Sequence, residues 1–95
     1  METIDDIMDN FDFDRVHDTM EMLGWGWVDR DTGDYAIPEI SELRKRARGL
    51  MKEAMVSRQP SYRIATGGFQ VDKTTEEGEV FLSLSFVLTS WDNYA

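Results

Sequence analysis

The chain has 95 residues, of which 41% are hydrophobic and 12% aromatic, a composition that is typical of one folded domain and excludes a disordered segment. Its formal net charge of −9 disfavours nucleic acid as a partner, and the lack of cysteine excludes disulfides and thiolate metal sites. Because no apolar run approaches the roughly 20 residues of a membrane helix and no signal-peptide pattern occurs, we expect a cytoplasmic protein without membrane contacts.

The acidic residues are concentrated in the first third of the chain. Residues 1–34 contain eleven acids and two bases (−9), residues 35–64 contain three acids and seven bases (+4), and residues 65–95 contain five acids and one base (−4), which sum to −9. Such a charge dipole governs solubility and the choice of partner rather than the fold.

Three helices are predicted. Residues 3–9 begin with the hydroxyl-then-carboxylate spacing of a helix start. Residues 13–23 are amphipathic and lie between Asp12, a suitable N-cap, and Gly24, which suits a left-handed helix end. Residues 39–57 form the longest helix, because a helix start tolerates the proline at position 38 and apolar residues recur at helical spacing.

The remaining segments predict strands. Residues 25–28 and 35–37 read as a short hairpin around a polar turn. Residues 62–71 read as one strand that is bulged at Gly67-Gly68, followed by a charged connection over residues 72–78. Residues 79–89 are predicted as the central strand, because apolar side chains occupy every second position: Val80, Leu82, Leu84, Phe86 and Leu88.

These elements predict a single α+β domain over residues 1–95, with an acidic segment at residues 1–11 and an aromatic tail at residues 90–95. The predicted architecture has two layers, with the helices on one face of an antiparallel sheet and the order α-β-β-α-β-β. Because the long strands leave an open edge or face, a homodimer is expected.

Several short motifs occur in a definite order along residues 12–88. They are Leu23-Gly24-Trp25, Ile37-Pro38, Ala65-Thr66-Gly67-Gly68-Phe69 and Leu82-Ser83-Leu84-Ser85-Phe86. In this order the chain resembles a family of small acidic proteins encoded in tailed-phage and prophage genomes. The resemblance implies an accessory protein expressed inside a bacterium, and it implies no activity and no site residues. The acidic segment 1–11 lies outside it.

The sequence contains no complete catalytic or metal-binding motif. Residues 29–34 begin like a calcium loop, but Gly33, Asp34 and Ile40 stand where an acid, a glycine and a glutamate are required, so a hairpin turn is preferred. Ser83 lies within a strand, like Ser85, and not on the sharp turn that exposes a nucleophile. We therefore predict that the protein is not an enzyme and has no metal and no cofactor.

His17 is the single histidine of the chain, and it has acidic neighbours at helical spacing: Asp14, Asp18 and Glu21. This group can bind a metal weakly or act as a base, but no nucleophile or oxyanion donor is spaced to join it. We therefore favour a histidine on a helix surface.

The principal functional hypothesis is a binding protein that engages a host or phage protein through its acidic surface. Carboxylates presented in this way mimic phosphates, so one form of the hypothesis is an inhibitor of a nucleic-acid enzyme. Aromatic residues serve either as core or as partner contacts: Trp25, Trp27, Tyr35, Trp91 and Tyr94. The residues predicted to bind the partner are Asp5, Asp6, Asp9, Asp12, Asp14, Asp18, Trp91 and Tyr94.

Two alternative functions are kept. The 40–57 helix carries basic residues and precedes a hairpin, which is the layout of a helix that reads DNA. Its basic residues are Arg44, Lys45, Arg48 and Lys52. The net charge of the protein nevertheless makes nucleic acid an unfavourable partner. The Gly67-Gly68 loop can bring backbone N–H groups against a nucleotide in an oligomer that sequesters it. No helix or lysine follows this loop in the required position, so a structural bulge is preferred there.

Overall fold

The computed structural model describes residues 3–87, which form three helices and two antiparallel sheets. The elements in chain order are α1 (Ile4–Asn10), α2 (Phe13–Leu23), β1 (Trp27–Val28), β2 (Tyr35–Ala36), α3 (Ile40–Val56), β3 (Ser61–Thr66), β4 (Phe69–Glu76) and β5 (Glu79–Phe86). The predicted α+β class is confirmed. The predicted helix over residues 3–9 is observed as α1, which the predicted order α-β-β-α-β-β left out, and the larger sheet has a third long strand that was not predicted. None of the helices within residues 3–87 is long and apolar enough to span a bilayer.

Local capping signals determine where the first two helices begin and end. Before α1, the Thr3 side chain accepts a hydrogen bond from the Asp6 N–H, and the Asp6 carboxylate accepts one from the Thr3 N–H. Before α2, the Asp12 carboxylate accepts a hydrogen bond from the backbone of the first turn at 3.0 Å. Gly24 ends α2 in the left-handed conformation, with φ of 62°. The predicted cap and both predicted ends of this helix are confirmed.

The long helix α3 buries one stripe against the sheet. Its N-cap, Glu39, makes no side-chain hydrogen bond to the helix, so packing and not capping holds this end in place. The helix lies mainly against β4 and also contacts β3, β5, α1 and α2. Its buried residues recur at helical spacing: Leu43, Ala47, Leu50, Met51 and Ala54.

The larger sheet has the order β3-β4-β5, with every neighbouring pair antiparallel. The predicted bulge at Gly67-Gly68 is wrong, because these two glycines form a two-residue hairpin turn with φ of 62° and 87°. A turn of this length with positive φ at both positions is the preferred connection of a tight hairpin. Glu77 and Gly78 form a second such turn, with φ of 53° and 81°. The predicted connection 72–78 is therefore mostly strand, and β4, not the terminal strand, is the centre of the sheet.

The two faces of β4 differ sharply in burial. Phe69, Val71 and Lys73 are buried beneath the helices, whereas Gln70 and Asp72 are partly exposed on the opposite face. Among residues 3–87 no element packs on that opposite face. The polar residues of β4 explain why the sequence alone suggested a connection and not a central strand.

Phe69 lies at the centre of the core and is fully buried. Its ring centroid lies 5.4 Å from that of Phe86, 6.0 Å from Phe13 and 6.1 Å from Phe11. These separations and the tilted orientations are favourable for aromatic pairs. One side chain therefore joins β4 to β5 and to the start of α2.

Lys73 is the one buried charged residue among the described residues, and it is only 5% exposed. Its ammonium group donates a hydrogen bond to the Ser57 carbonyl, just after the last residue of α3. A cation at this position satisfies a carbonyl that the helix leaves unpaired and complements the negative end of the helix dipole. Lys73 therefore attaches the sheet to the end of α3.

Asp72 gives the open face of the sheet a pH-dependent contribution to stability. Hydrogen bonds from Arg63 and then from Gln70 hold the pKa of its carboxyl below the ordinary value of 3.8. Because the folded-state pKa is lowered, the stabilisation is fully present above the unfolded-state pKa and is lost as pH falls through the folded-state value.

We expect Asp72→Asn to lower the free energy of unfolding by about 1 kcal/mol or less at pH 7, because Arg63 is largely exposed to solvent. The difference between variant and wild type should shrink as pH falls below the ordinary aspartate pKa of 3.8. Urea unfolding at a series of pH values measures this difference. A difference that stays constant down to low pH would contradict the proposed role of the carboxylate.

Candidate interaction surfaces

Three of the predicted partner-binding aspartates have roles in the fold. The Asp5 carboxylate accepts a hydrogen bond from the Arg48 guanidinium at 2.7 Å and joins α1 to α3. Asp6 belongs to the capping box of α1, and its hydrogen bond with the Thr3 backbone lowers the pKa of the carboxyl. Asp12 caps α2. These three carboxylates are exposed, but their hydrogen bonds are directed at their own chain.

Asp9, Asp14 and Asp18 differ from these, because their exposed carboxylates make no hydrogen bond or ion pair within residues 3–87. Asp14 and Asp18 lie four residues apart and share a face of α2, opposite the buried stripe. We call Asp9, Asp14 and Asp18 the free acids. The predicted partner residues Trp91 and Tyr94 lie outside the described residues.

An apolar patch adjoins α2. Four side chains are exposed where α2 ends and the β1–β2 hairpin begins: Met22 (78%), Leu23 (58%), Val28 (47%) and Tyr35 (51%). The hairpin is held beside the end of α2, because the Tyr35 hydroxyl donates to the Gly24 carbonyl, and Val28 stands opposite Tyr35 in the hairpin. A group of exposed apolar side chains, unlike a single one, marks an interaction surface.

Acidic residues surround this apolar patch. Glu21 directly precedes Met22, Asp29 directly follows Val28 and Asp34 directly precedes Tyr35, and all three acids are exposed. The sequence analysis missed the patch because the hairpin brings its members together. The available signal was the pair Met22 and Leu23, of which Met22 lies off the buried stripe of α2.

The polar turn at residues 29–34 forms the tip of the hairpin, as predicted. The Asp29 carboxylate accepts hydrogen bonds from the N–H groups of Asp31 at 2.8 Å and Thr32 at 3.1 Å. Backbone bonds from Gly33 to Asp29 and from Asp29 to Asp34 close the turn. The Asp29 side chain is therefore used within the turn, in the manner of an Asx turn.

His17 lies on the surface of α2 beside two acids. Its Nδ1 is 3.0 Å from a Glu21 carboxylate oxygen, and the ligand atoms of His17, Asp18 and Glu21 lie within 4.8 Å of one another. Three such ligands are chemically suited to a divalent cation. The pairing of His17 with Glu21 is also an ordinary contact between residues four apart on a helix, which accounts for the arrangement without an ion.

The basic residues of α3 are divided between two sides of the helix. Arg44 stacks on the Phe13 ring at 5.2 Å, and Arg48 bonds to Asp5, so both face α2 and α1. Lys45 instead lines a groove of about 670 Å³ beside Trp27. Lys52 is exposed. Because Arg44 and Arg48 already contact residues of their own chain, they are poorly placed to bind a DNA groove. Nucleic-acid binding by this helix stays a prediction.

The groove beside Trp27 carries balanced charge. Arg46 stacks over the Trp27 ring at 5.3 Å, and Gly49 leaves a notch in α3 where an added side chain would meet nothing within 4 Å. The groove is also lined by two acids, Glu42 and Glu53. Two acids and two bases give it no preference for an ion of either sign.

Aromatic side chains fill the space around the Gly67-Gly68 turn. The Trp27 indole N–H donates to the Gly67 carbonyl at 3.1 Å. Trp25, which is buried, and Phe86 lie within 3 Å of the position that a Gly68 side chain would occupy. The glycines are therefore explained by close packing. The sequence analysis left open whether the aromatic residues belong to the core or contact a partner, and Trp25 belongs to the core.

Comparison of the chain with models of known protein families, with curated proteins and with solved structures gave no match. The function is therefore inferred from the chemistry of the surfaces described above.

Proposed function

We propose that the protein is a non-enzymatic binding protein that recognises another protein through the free acids and the adjoining apolar patch. The observation that carries the proposal is that Asp14, Asp18 and Met22, the first residue of the patch, follow one another at intervals of four residues and so share one face of α2. The chemistry fits a partner with an apolar centre and a basic rim.

The acidic face supports a more specific form of this proposal. Carboxylates at regular helical spacing present negative charge without the flexibility of a loop, and three of the surrounding acids are tied down by hydrogen bonds. A rigid array of negative charge suits a partner whose own ligand is a phosphate backbone. The protein then acts as a mimic of nucleic acid and inhibits the enzyme or regulator that it occupies.

The resemblance to small tailed-phage and prophage proteins supplies the biological setting of the proposal. The partner is a host or phage protein, and the interaction takes place in the bacterial cytoplasm. We further propose that the protein self-associates, by a route that does not use the acidic face.

The decisive experiment compares two variants that carry the same change in net charge. Asp9→Asn/Asp14→Asn/Asp18→Asn removes the free acids, whereas Glu39→Gln/Glu76→Gln/Glu77→Gln removes three exposed acids elsewhere. Each variant shifts the net charge from −9 to −6, because three negative charges are lost. Tagged forms are used to capture proteins from a bacterial lysate at low and raised salt, and captured proteins are identified by mass spectrometry.

We expect the wild type and the second variant to retain one specific partner that is released as salt rises. The first variant should bind the purified partner at least about tenfold more weakly, because it loses charges that complement the partner. Equal affinity of the two variants would contradict the proposal. Loss of binding in Leu23→Ser, with the acids intact, would assign the apolar patch to the same interface.

A further inference from the structure

The terminal strand β5 is an open edge of the sheet. It pairs with β4 on one side and, within the described residues, with nothing on the other. The Val87 N–H donates to the Gly68 carbonyl at 2.8 Å, and the register is regular from this point to Glu79. Because bonded and non-bonded positions alternate in an antiparallel pair, the outward-facing backbone groups belong to Val80, Leu82, Leu84 and Phe86.

The two edges of the sheet differ in their protection against pairing. β3 follows Pro60 and carries Arg63 in its middle, and charges and prolines at such positions discourage the addition of another strand. β5 contains no proline, and after Glu79 at its start it contains no charged residue. An unprotected strand of this length in a protein with net charge −9 indicates an edge that is normally covered.

The side chains of β5 are also incompletely covered. The helix-facing residues Val80, Leu82, Leu84 and Phe86 are only partly buried, in contrast to the fully buried Phe69 and Val71 of β4. On the opposite face Phe81 and Val87 are exposed. A strand added at this edge would complete the burial of the first group.

We propose that β5 pairs with β5 of a second copy of the protein, antiparallel and with Ser83 opposite Ser83. The strand is self-complementary about this residue, because apolar side chains on the helix-facing side lie one and three positions away in both directions. Leu82 then faces Leu84 of the second copy, and Val80 faces Phe86. A register shifted by one residue would set residues whose backbone groups face outward opposite residues whose groups already bond to β4, so it could form no ladder of hydrogen bonds.

The grooves beside β5 fit the same arrangement. A groove of about 370 Å³ at Val80 and Leu82 has the charged lining residues Asp5, Arg48 and Lys52, and one of about 420 Å³ at Phe86 has Asp12 and Arg15. Antiparallel pairing brings the first groove of each copy beside the second groove of the other. The first groove has one acid and two bases, with Arg48 paired to Asp5, and the second has one acid and one base, so the grooves do not repel each other and the contact between the copies is mainly apolar.

The lack of cysteine permits a direct test of the register. Ser83→Cys places two thiols on the twofold axis at a non-bonded pair, where Cα atoms are about 4.5 Å apart and a disulfide can form. In Ser85→Cys, on the same strand and face, the two thiols lie roughly 13 Å apart along the strand. Mild oxidation followed by non-reducing electrophoresis should therefore give a dimer of twice 11.0 kDa for Ser83→Cys and little for Ser85→Cys.

A second pair of variants tests the association without a covalent bond. In the proposed register Phe81 faces Ser85 of the second copy. The double variant Phe81→Lys/Ser85→Glu therefore forms two ion pairs across the interface, whereas Phe81→Lys/Ser85→Lys places like charges opposite each other. We expect the wild type and the first variant to sediment as dimers and the second as a monomer at the same concentration. Circular dichroism checks that both variants fold, since Phe81 is half exposed and Ser85 lies on the open face.

Three results would overturn the proposal. The first is a wild type that remains monomeric up to about 1 mM, well above the concentrations at which weak specific dimers form. The second is faster cross-linking of Ser85→Cys than of Ser83→Cys. The third is equal sedimentation of the two lysine variants. The first result would also refute the self-association proposed above, whereas binding of a partner through the free acids would be unaffected.

Discussion

Replacing Phe69 with alanine is expected to lower the free energy of unfolding by about 3–5 kcal/mol, the usual cost of removing a buried aromatic ring. The ring is fully buried and lies within about 6 Å of three other aromatic rings, measured between centroids, so neighbouring side chains can only partly fill the space. A loss of this size is a large part of the total stability of a small domain. Urea unfolding monitored by tryptophan fluorescence measures it.

Phe81→Ala provides the control for this prediction. Phe81 is also a phenylalanine of the larger sheet, but it is 49% exposed and lies on the open face. Its replacement in the monomer should cost less than about 1 kcal/mol, as is usual for surface positions. Similar losses for Phe69→Ala and Phe81→Ala would show that the open face is covered by a structure that the chain carries or recruits.

Gly68→Ala is expected to be the second most damaging substitution, with a loss of about 2–4 kcal/mol from strain and overpacking together. The residue has φ of 87°, and an added Cβ would lie 2.5 Å from the Phe86 ring and 2.6 Å from the Trp25 ring. Both rings are held in the core, so they cannot move aside without disturbing the aromatic cluster around Phe69.

Gly78→Ala separates the two causes of this loss. Gly78 occupies the same position in the second two-residue turn and has φ of 81°, but an added Cβ would meet nothing within 4 Å. Its replacement should therefore cost only the conformational strain, about 1–2 kcal/mol. If both alanine variants unfold at the same urea concentration, the close contacts at Gly68 contribute nothing and the packing argument fails.

The helices were predictable because their signals are local. Asp12 and Gly24 lie at the two ends of α2, and each ends the helix through its own chemistry, a carboxylate acceptor in one case and a left-handed conformation in the other. The buried stripe of α3 is likewise visible in the spacing of its apolar residues. Such features depend on neighbours within a few positions and not on the rest of the fold.

The central strand was not predictable in this way. β4 contains Asp72 and Lys73 in the middle, which is unusual for a strand at the centre of a sheet. Each is accommodated by a distant residue, Asp72 by Arg63 on the neighbouring strand and Lys73 by the carbonyl of Ser57. Whether two glycines form a bulge or a turn likewise depends on which strands pair, and that is decided across the whole sheet.

The candidate binding surface was predictable only in part. The concentration of acids in the first third of the chain pointed to α2, and Asp14 and Asp18 are exposed there. The sequence did not distinguish them from Asp5, whose carboxylate is engaged by Arg48 on another helix. Tertiary contacts of this kind determine which charges are available to a partner.

The β1–β2 hairpin carries part of the apolar patch although each of its strands has only two residues. A hairpin of this size has little stability of its own in water. Two side-chain hydrogen bonds fasten it at its two sides, from Tyr35 to the Gly24 carbonyl and from Trp27 to the Gly67 carbonyl. A partner that binds the apolar patch and stabilises the hairpin would therefore also stabilise the β3–β4 turn. By thermodynamic reciprocity, a ligand that stabilises that turn would raise the affinity of the protein for the partner.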